Sequence, residues 1–193
     1  MTEPSRAIPL LYDYVQRLAG LGAVRRHLAP HLADLHGQVL DVGAGTGLYA
    51  QLLPADAGYV GVDLAPQELQ RLQARCPGAV VVVADATSLP FDDASFDNAL
   101  CINILHHLSD VDLARVIAEL VRVVRGRVVF LDPVLSDRTW SRALWSIDRG
   151  SHPRSAESLR ETLGGAFDLE HFEDFRIRHT YVLAVARPRA AAS

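Results

Sequence analysis

Alternating glycines after a short apolar run are the most chemically informative feature of this 193-residue sequence. Residues 39–47 read Val-Leu-Asp-Val-Gly-Ala-Gly-Thr-Gly, so the run contains Asp41 and then has glycine at every second position. A Cβ atom at Gly43, Gly45 or Gly47 would hold a ligand away from the main chain. The pattern therefore predicts a loop that brings bare backbone against a small molecule.

Two further acids close later apolar runs, Asp63 after Gly-Val and Asp85 after Val-Ala. Asp63 suits the two hydroxyls of a ribose, because an ionised carboxylate accepts from both. Asp85 suits the exocyclic amine of an adenine, and the N–H of Ala86 is available to a ring nitrogen. Asp41 would orient the glycine loop or meet an ammonium group. Together they match a ligand with an amino-acid end, a ribose and an adenine.

A sheet must position these residues, and the apolar pattern predicts one. Apolar runs without polar alternation, separated by helical periodicity, indicate a parallel sheet covered on both faces. The predicted strands are 38–41, 59–62, 80–83, 96–102 and 127–131, with a closing antiparallel pair at 167–172 and 181–186. The predicted helices are two segments within 8–35, then 46–53, 66–75, 110–124, 137–147 and 155–163.

Composition excludes several function classes. The net charge is −4 and no segment concentrates basic residues, which argues against a nucleic-acid partner. No apolar run is long enough to span a membrane, and the first residues lack a signal-peptide pattern, so we expect a cytoplasmic protein. All 19 basic residues are arginine, which rules out lysine chemistry. Cys76, Cys101 and the eight histidines show no metal-ligand spacing, so no metal is predicted.

With these motifs the chain resembles the class I S-adenosylmethionine (SAM)-dependent methyltransferases, in particular the small-molecule group that includes ubiquinone/menaquinone-biosynthesis enzymes. The likeness covers about residues 35–131. It is carried by the D-x-G-x-G-x-G loop and by segments 59–63, 84–91, 95–97 and 105–110. One departure is Val-Val-Arg-Gly-Arg at 123–127, where the family usually has a Lys-Pro-Gly-Gly-like turn.

The resemblance implies a Rossmann-like, doubly wound α/β sheet of seven strands, in the order 3-2-1-4-5-7-6 with strand 7 antiparallel. It implies a single methyltransferase domain over residues 1–193. Its expected parts are an N-terminal helical lid (1–35), a SAM-binding core (36–131), a substrate-covering helical insert (132–166) and closing strands (167–186).

The resemblance also implies roles for particular residues. The loop with Ala44 would cradle the methionine part of SAM, with Asn103 beneath it. Leu64 would pack on the adenine, Asp63 would bind the ribose, and Asp85 with Ala86 would hold the adenine. The expected cofactor-binding set is Asp41, Gly43, Ala44, Gly45, Gly47, Asp63, Leu64, Asp85, Ala86 and Asn103.

Methyl transfer from a sulfonium is an in-line displacement, and it needs a base only when the acceptor carries a proton of high pKa. The candidate base or substrate contact is His106 or His107, just past the fourth strand; otherwise one of them packs on the sheet and the other caps or faces solvent. Tyr12, Trp140 and His152 are candidate contacts for the small-molecule acceptor. Arginines between 138 and 160 could grip an anionic acceptor, but interleaved acids favour a solvated surface.

The sequence disfavours two other enzyme classes. A nicotinamide enzyme needs glycine at position 48, where the chain has leucine. A DNA amino-methyltransferase would have an Asn/Asp-Pro-Pro-aromatic turn after strand four, where residues 103–106 read Asn-Ile-Leu-His. SAM chemistry other than methylation stays open. The main alternative is a SAM-binding protein without turnover, acting as a partner subunit or regulator.

Overall fold

The structure is a computed structural model that describes residues 7–135, 152–177 and 179–189, and only the backbone of residues 7–19. Its seven strands within these ranges form one sheet. They are β1 (Gln38–Val42), β2 (Gly58–Asp63), β3 (Val80–Val83), β4 (Asn98–Ile102), β5 (Val128–Val134), β6 (Phe167–Arg176) and β7 (Thr180–Pro188).

Four α-helices and two 3₁₀ turns connect the described strands. They are α1 (Ala7–Leu32), α2 (Pro66–Arg75), α3 (Asp110–Val123) and α4 (Ala156–Ala166), with 3₁₀ turns at Ala50–Leu52 and Leu105–His107. Local sequence defines the helix starts: the Ser109 hydroxyl accepts from the N–H of Asp112 at 3.1 Å, and Ser155 caps α4 in the same way through Ser158. No helix in the described ranges is both long enough and apolar enough to cross a membrane.

The strand order is β3-β2-β1-β4-β5-β7-β6, which confirms the predicted topology. Strands β1 to β5 run parallel, and β7 pairs antiparallel with both β5 and β6. The chain builds β2 and β3 on one side of β1, then returns to place β4 and β5 on the other side. This reversal opens a crevice at the carboxyl ends of β1 and β4.

Alternate side chains of the strands form a core on each face of the sheet. On one face Leu40 of β1 packs with Leu120 of α3 and Leu163 of α4. On the other, Val39 packs with Leu28 of α1. The C-terminal half of α1 is therefore part of the core, within a segment that the sequence assigns entirely to a lid.

Three sequence predictions about elements are wrong. The region 8–35 holds one helix instead of two, because Gly20 and Gly22 lower helix propensity without breaking a helix that packs on the sheet. Residues 46–53 form turns and a short 3₁₀ segment, because Pro54 holds Leu53 in an extended conformation (φ −74°, ψ 156°). Strands β5 and β6 continue to Val134 and Arg176, past their predicted ends at residues 131 and 172.

Candidate functional site

Five parallel strand ends share one edge of the sheet, in the order β3-β2-β1-β4-β5. Open α/β sheets bind ligands at this edge, next to the point where strand order reverses. The structure brings most of the predicted site residues to it. They are Asp41, Gly43, Ala44, Gly45, Gly47, Asp63, Leu64, Asp85, Ala86, Asn103, His106 and His107.

The glycine loop after β1 has backbone angles that favour glycine, with φ of +69° at Gly43, +50° at Gly45 and +66° at Gly47. A Cβ atom at Gly43 would lie 2.6 Å from Cδ1 of Ile104, and one at Gly47 would lie 2.7 Å from Cγ of Leu72. A Cβ atom at Gly45 would meet nothing within 4 Å. Gly43 and Gly47 thus make room for protein side chains, whereas Gly45 borders open space.

Asp63 ends β2 and fastens the glycine loop. Its Oδ2 accepts from the backbone N–H of Gly45 at 2.9 Å, and its Oδ1 accepts from the N–H of Ala65 at 2.9 Å. Each oxygen of a carboxylate can accept a further hydrogen bond, so the side chain has capacity for the hydroxyls of a ligand. The sequence offered Asp41 for the task of orienting the loop, but in the structure Asp63 makes the hydrogen bond to it.

Asp41 is buried at the end of β1 and lies beside a tyrosine that sequence reasoning missed. The hydroxyl of Tyr59 donates to Oδ2 of Asp41 at 2.5 Å. Burial raises the pKa of Asp41 to about 7; the Tyr59 hydrogen bond opposes this shift, and the charge of Asp63 adds to it. The carboxyl thus titrates near neutrality, and a nearby cation would favour its ionised form.

The ends of β2 and β3 place an acid on the same edge as exposed apolar side chains. Oδ1 of the exposed Asp85 accepts from both the N–H and the hydroxyl of Thr87, at 2.8 Å each. These two hydrogen bonds lower the pKa of Asp85, which is therefore ionised at neutral pH. Leu64 and Val83 are 67% and 57% exposed. Such apolar surface suits a planar ring whose polar edge meets the acid and Ala86.

The chain leaves β4 through a turn with unusual backbone geometry. Asn103 has a φ of +57°, and its N–H donates to the carbonyl of Leu131 in β5 at 2.7 Å. Asparagine adopts this left-handed conformation more readily than most residues, and strained backbone clusters at ligand sites. Asn103 is exposed, and the residue after it, Ile104, fills the space beside Gly43.

The two candidate bases occupy different environments in the 3₁₀ turn Leu105–His107. His106 is buried, and its Nδ1 lies 2.9 Å from Oδ1 of Asp132 in β5. The backbone N–H groups of Leu105 and His106 also donate to Asp132, at 2.8 Å and 3.2 Å. His107 is exposed and its ring lies 4.0 Å from that of His106. The structure therefore fixes His106 firmly and presents His107 to solvent.

His152 reaches the same turn through its backbone, because its N–H donates to the carbonyl of His106 at 3.0 Å. Arg154 follows it, with a side chain only 9% exposed. The Arg154 guanidinium donates to the carbonyls of Leu105 and Leu108, each at 2.8 Å, and to Asp110 at 2.7 Å. The solvated surface predicted for the arginines is wrong for Arg154, which pins the segment after residue 151 to the turn.

Comparison with known proteins agrees with this geometry. A family model described as a methyltransferase domain matches residues 40–131. This part of the chain is therefore similar to methyltransferase domains. The ubiquinone/menaquinone biosynthesis C-methyltransferase UbiE of Citrifermentans bemidjiense is 35% identical to the chain over 137 residues, which cover 63% of this chain and 57% of that protein.

Two other proteins illustrate the range of similar chains. Phthiotriol/phenolphthiotriol dimycocerosates methyltransferase of Mycobacterium tuberculosis is 40% identical over 142 residues, covering 70% of this chain and 51% of that protein. The crystal structure of the N-methyltransferase NodS of Bradyrhizobium japonicum with S-adenosyl-L-homocysteine shares the fold, with a TM-score of 0.68, 18% identity and coverage of 90% and 87%. The matched part of the chain spans just over half the length of these two curated relatives.

The side chains of two predicted substrate contacts fall outside the part of the chain that the structure describes. The side chain of Tyr12 and the whole of Trp140 lie outside the described residues. The exposed side chain of His152 stays a predicted substrate contact. No cluster of His, Cys, Asp or Glu in the described ranges could hold a metal ion.

Sequence reasoning missed Tyr59 and Asp132, and it did not assign Arg154 its contact with the turn after β4. Tyr59 could have been found, because strand alternation places it on the same face of the sheet as Asp41. Asp132 and Arg154 act on residues 26 to 49 positions away. No local sequence pattern predicts such long-range contacts.

Proposed function

We propose that this chain is a methyltransferase, which binds SAM at the ends of β1, β2 and β3 and transfers its methyl group to a small-molecule acceptor beside the end of β4. The observation that carries the proposal is the placement of three acids, Asp41, Asp63 and Asp85, at the ends of three neighbouring strands. The open space at Gly45 supports it, because main chain there can approach a ligand.

SAM, when bound, supplies a methyl group on a positively charged sulfur. The Asp63 carboxylate would accept from the ribose hydroxyls while it also holds the glycine loop through the N–H of Gly45. Asp85 accepts from the adenine amine, and Leu64 packs on the ring. Asp41 meets the ammonium group of the methionine end, and this contact favours the ionised carboxylate over the protonated form.

The acceptor side of the site is formed by the turn after β4. Its task is to hold the nucleophile near the methyl group and to exclude water, since positioning supplies much of the rate in such a displacement. His106, His107 and His152 are proposed substrate contacts there, with Asn103 between them and the cofactor. Quinone and lipid names among the relatives support a small, largely apolar acceptor.

The arrangement of the chain around this site completes the proposal. Residues 1–35 contribute a lid at their N-terminal end, residues 36–131 bind SAM, part of 132–166 covers the acceptor, and 167–186 close the sheet. We propose a cytoplasmic location; the free thiols of Cys76 and Cys101 support a reducing compartment.

Calorimetric titration with SAM, S-adenosylhomocysteine and NADH tests the proposal. We expect micromolar binding of the first two ligands and none of NADH. An acceptor screen with methyl-labelled SAM, including phenols, quinols and hydroxylated lipids, follows. Binding without transfer to any acceptor would favour the SAM-binding protein without turnover. Absence of binding by folded protein would contradict the proposal.

A further inference from the structure

The glycine loop after β1 depends on contacts with other elements for its shape. The N–H of Ala44 donates to the carbonyl of Val62 in β2 at 2.9 Å, and the N–H of Gly47 donates to the carbonyl of Ala44 at 2.9 Å. The N–H of Gly45 donates to Asp63. Glycine has the largest conformational freedom of any residue. A loop with glycine at every second position therefore needs packing from outside to keep one conformation.

A single side chain of α2 packs against this loop. The fully buried Leu72 lies so close to two glycines that a Cβ atom at either would lie 2.7 Å from it, from Cγ in the case of Gly47 and from Cδ1 in the case of Gly61 in β2. The Cβ atom of Ala44 borders the same space, 3.1 Å from a Cβ at Gly61. Leu72 therefore occupies the room that two glycines leave, one in the loop and one in the neighbouring strand.

Leu72 belongs to a small apolar cluster that is separate from the two larger cores. Its buried members are Leu69, Leu72 and Ala79, and the side chains that pack around them are Ala44, Tyr59, Cys76 and Val81. The cluster reaches the predicted cofactor contacts twice, because Ala44 lies in the loop and Tyr59 donates to Asp41. Neighbouring side chains fill a cavity only partly when a core residue is truncated. Truncation of Leu72 would thus leave empty space directly against Gly47.

Leu69 provides a comparison within the same helix. It lies three residues before Leu72, is 2% exposed and belongs to the same cluster. The atom nearest to a Cβ at Gly47 or at Gly61 belongs to Leu72 in each case. The two leucines therefore share residue type, helix and burial, and Leu72 is the one that fits against the glycines.

We propose that Leu72 is a positioning residue for SAM, whose side chain fills the space against Gly47 and Gly61 and so holds the glycine loop with Gly45 open to the ligand. The inference rests on the proposed function for the identity of the ligand, whereas the support of the loop is a property of the ligand-free protein. A second layer of packing of this kind preserves the alignment of the groups that contact a ligand.

Amide hydrogen exchange, measured by NMR in the ligand-free protein, tests the support of the loop, because local opening speeds the exchange of hydrogen-bonded N–H groups. In Leu72→Ala the amides of Ala44 and Gly45 should exchange at least tenfold faster than in the wild type. In Leu69→Ala they should stay within about twofold of the wild type. Leu72→Val and Leu69→Val form a milder pair if an alanine variant does not fold. Equal acceleration in both members of a pair, or none in the Leu72 variant, would overturn the inference.

Calorimetric titration with S-adenosylhomocysteine tests the consequence for binding. The Kd should be at least tenfold weaker in Leu72→Ala and within about twofold of the wild type in Leu69→Ala, although both variants lose thermal stability. Leu72→Met should bind within about threefold of the wild type, because it conserves side-chain volume. If Leu72 served the core alone, the two alanine variants would lose affinity alike, and that result would contradict the proposal.

A wild type that binds neither SAM nor S-adenosylhomocysteine would refute the proposed function, and with it the role of Leu72 toward SAM. The exchange measurement would still decide whether Leu72 supports the loop, so the two failures are distinguishable.

Discussion

The ends of β1 to β3 and the ends of β4 and β5 are built in different ways. On the first side the acids contact residues on their own strand end or on the neighbouring one. Asp85 accepts from Thr87, and Asp63 accepts from Ala65 and from Gly45 in the loop after β1. Asp41 accepts from Tyr59 of β2. On the second side the turn after β4 depends on residues far along the chain, Asp132 and Arg154. The first side can therefore be identified from short sequence motifs, whereas the contacts of the second side can be seen only in the folded structure.

The largest effect should come from replacing a glycine that makes room for the protein. In Gly47→Ala the new Cβ would lie 2.7 Å from Cγ of the fully buried Leu72, at a φ of +66°. Overpacking and backbone strain together should cost roughly 2–4 kcal/mol of the free energy of unfolding. Gly45→Ala is the matched control, because it adds a Cβ at a positive φ but in open space. Compared with Gly47→Ala, it should lose less free energy of unfolding and more affinity for SAM. Denaturant unfolding measures the difference, and equal losses would refute the distinction.

The next effect concerns the cofactor side alone. Asp63→Ala should weaken SAM binding tenfold or more, since hydrogen bonds to a charged group contribute roughly 1.5–3 kcal/mol. Asp92→Ala, an exposed acid on the loop before β4, should bind as the wild type does. Calorimetry on both variants provides the measurement. Near-wild-type affinity in Asp63→Ala would show that the ribose assignment is wrong.

On the acceptor side, Arg154→Ala removes a buried guanidinium from the carbonyls of Leu105 and Leu108. The free energy of unfolding should fall by about 1.5 kcal/mol, because two acceptors lose a charged donor. SAM affinity should stay within about twofold. Arg115→Ala is the control, because this arginine is 63% exposed and pairs loosely with Asp112 at 3.5 Å. If SAM affinity fell together with stability in Arg154→Ala, SAM binding would depend on the ends of β4 and β5 as well as on the ends of β1 to β3.

The smallest effect is the pH dependence from Asp41. Its pKa of about 7 in the fold lies above the ordinary 3.8, so the folded state holds the proton more tightly. The stability that it contributes is complete below pH 4 and declines as pH rises through 7. Affinity for a ligand with an ammonium group should change in the opposite direction, rising up to about tenfold from pH 6 to pH 8. Calorimetry at several pH values tests this, and Asp41→Asn should abolish the dependence.

The sequence predicts the scaffold well because hydrophobic periodicity and strand ends are local properties. The boundaries of β3 and α2 match the predictions at both ends, and the antiparallel closing pair is confirmed. The predicted helix at 46–53 is wrong because Pro54 and the left-handed glycines outweigh the apolar periodicity. The structure likewise shows that Gly43 and Gly47 serve packing, which depends on Ile104 and Leu72 at distant positions.

The candidate site divides along the same line. Asp41, Asp63 and Asp85 stand out in the sequence because each closes an apolar run. The sequence gives no reason to prefer His106 over His107. Only the fold shows that the ring of His106 is hydrogen-bonded to Asp132, whereas that of His107 is exposed to solvent. In the sequence nothing distinguishes Asp132 from other strand residues. Its contacts with the turn after β4 follow from the pairing of β4 with β5. Long-range contacts of this kind carry no local signature.

Calorimetric titration of S-adenosylhomocysteine into the wild type, Asp63→Ala and Asp132→Asn tests the division between the two sides most directly. We expect a Kd at least tenfold weaker in Asp63→Ala and unchanged within about twofold in Asp132→Asn. Equal weakening in both variants, or none in Asp63→Ala, would contradict it.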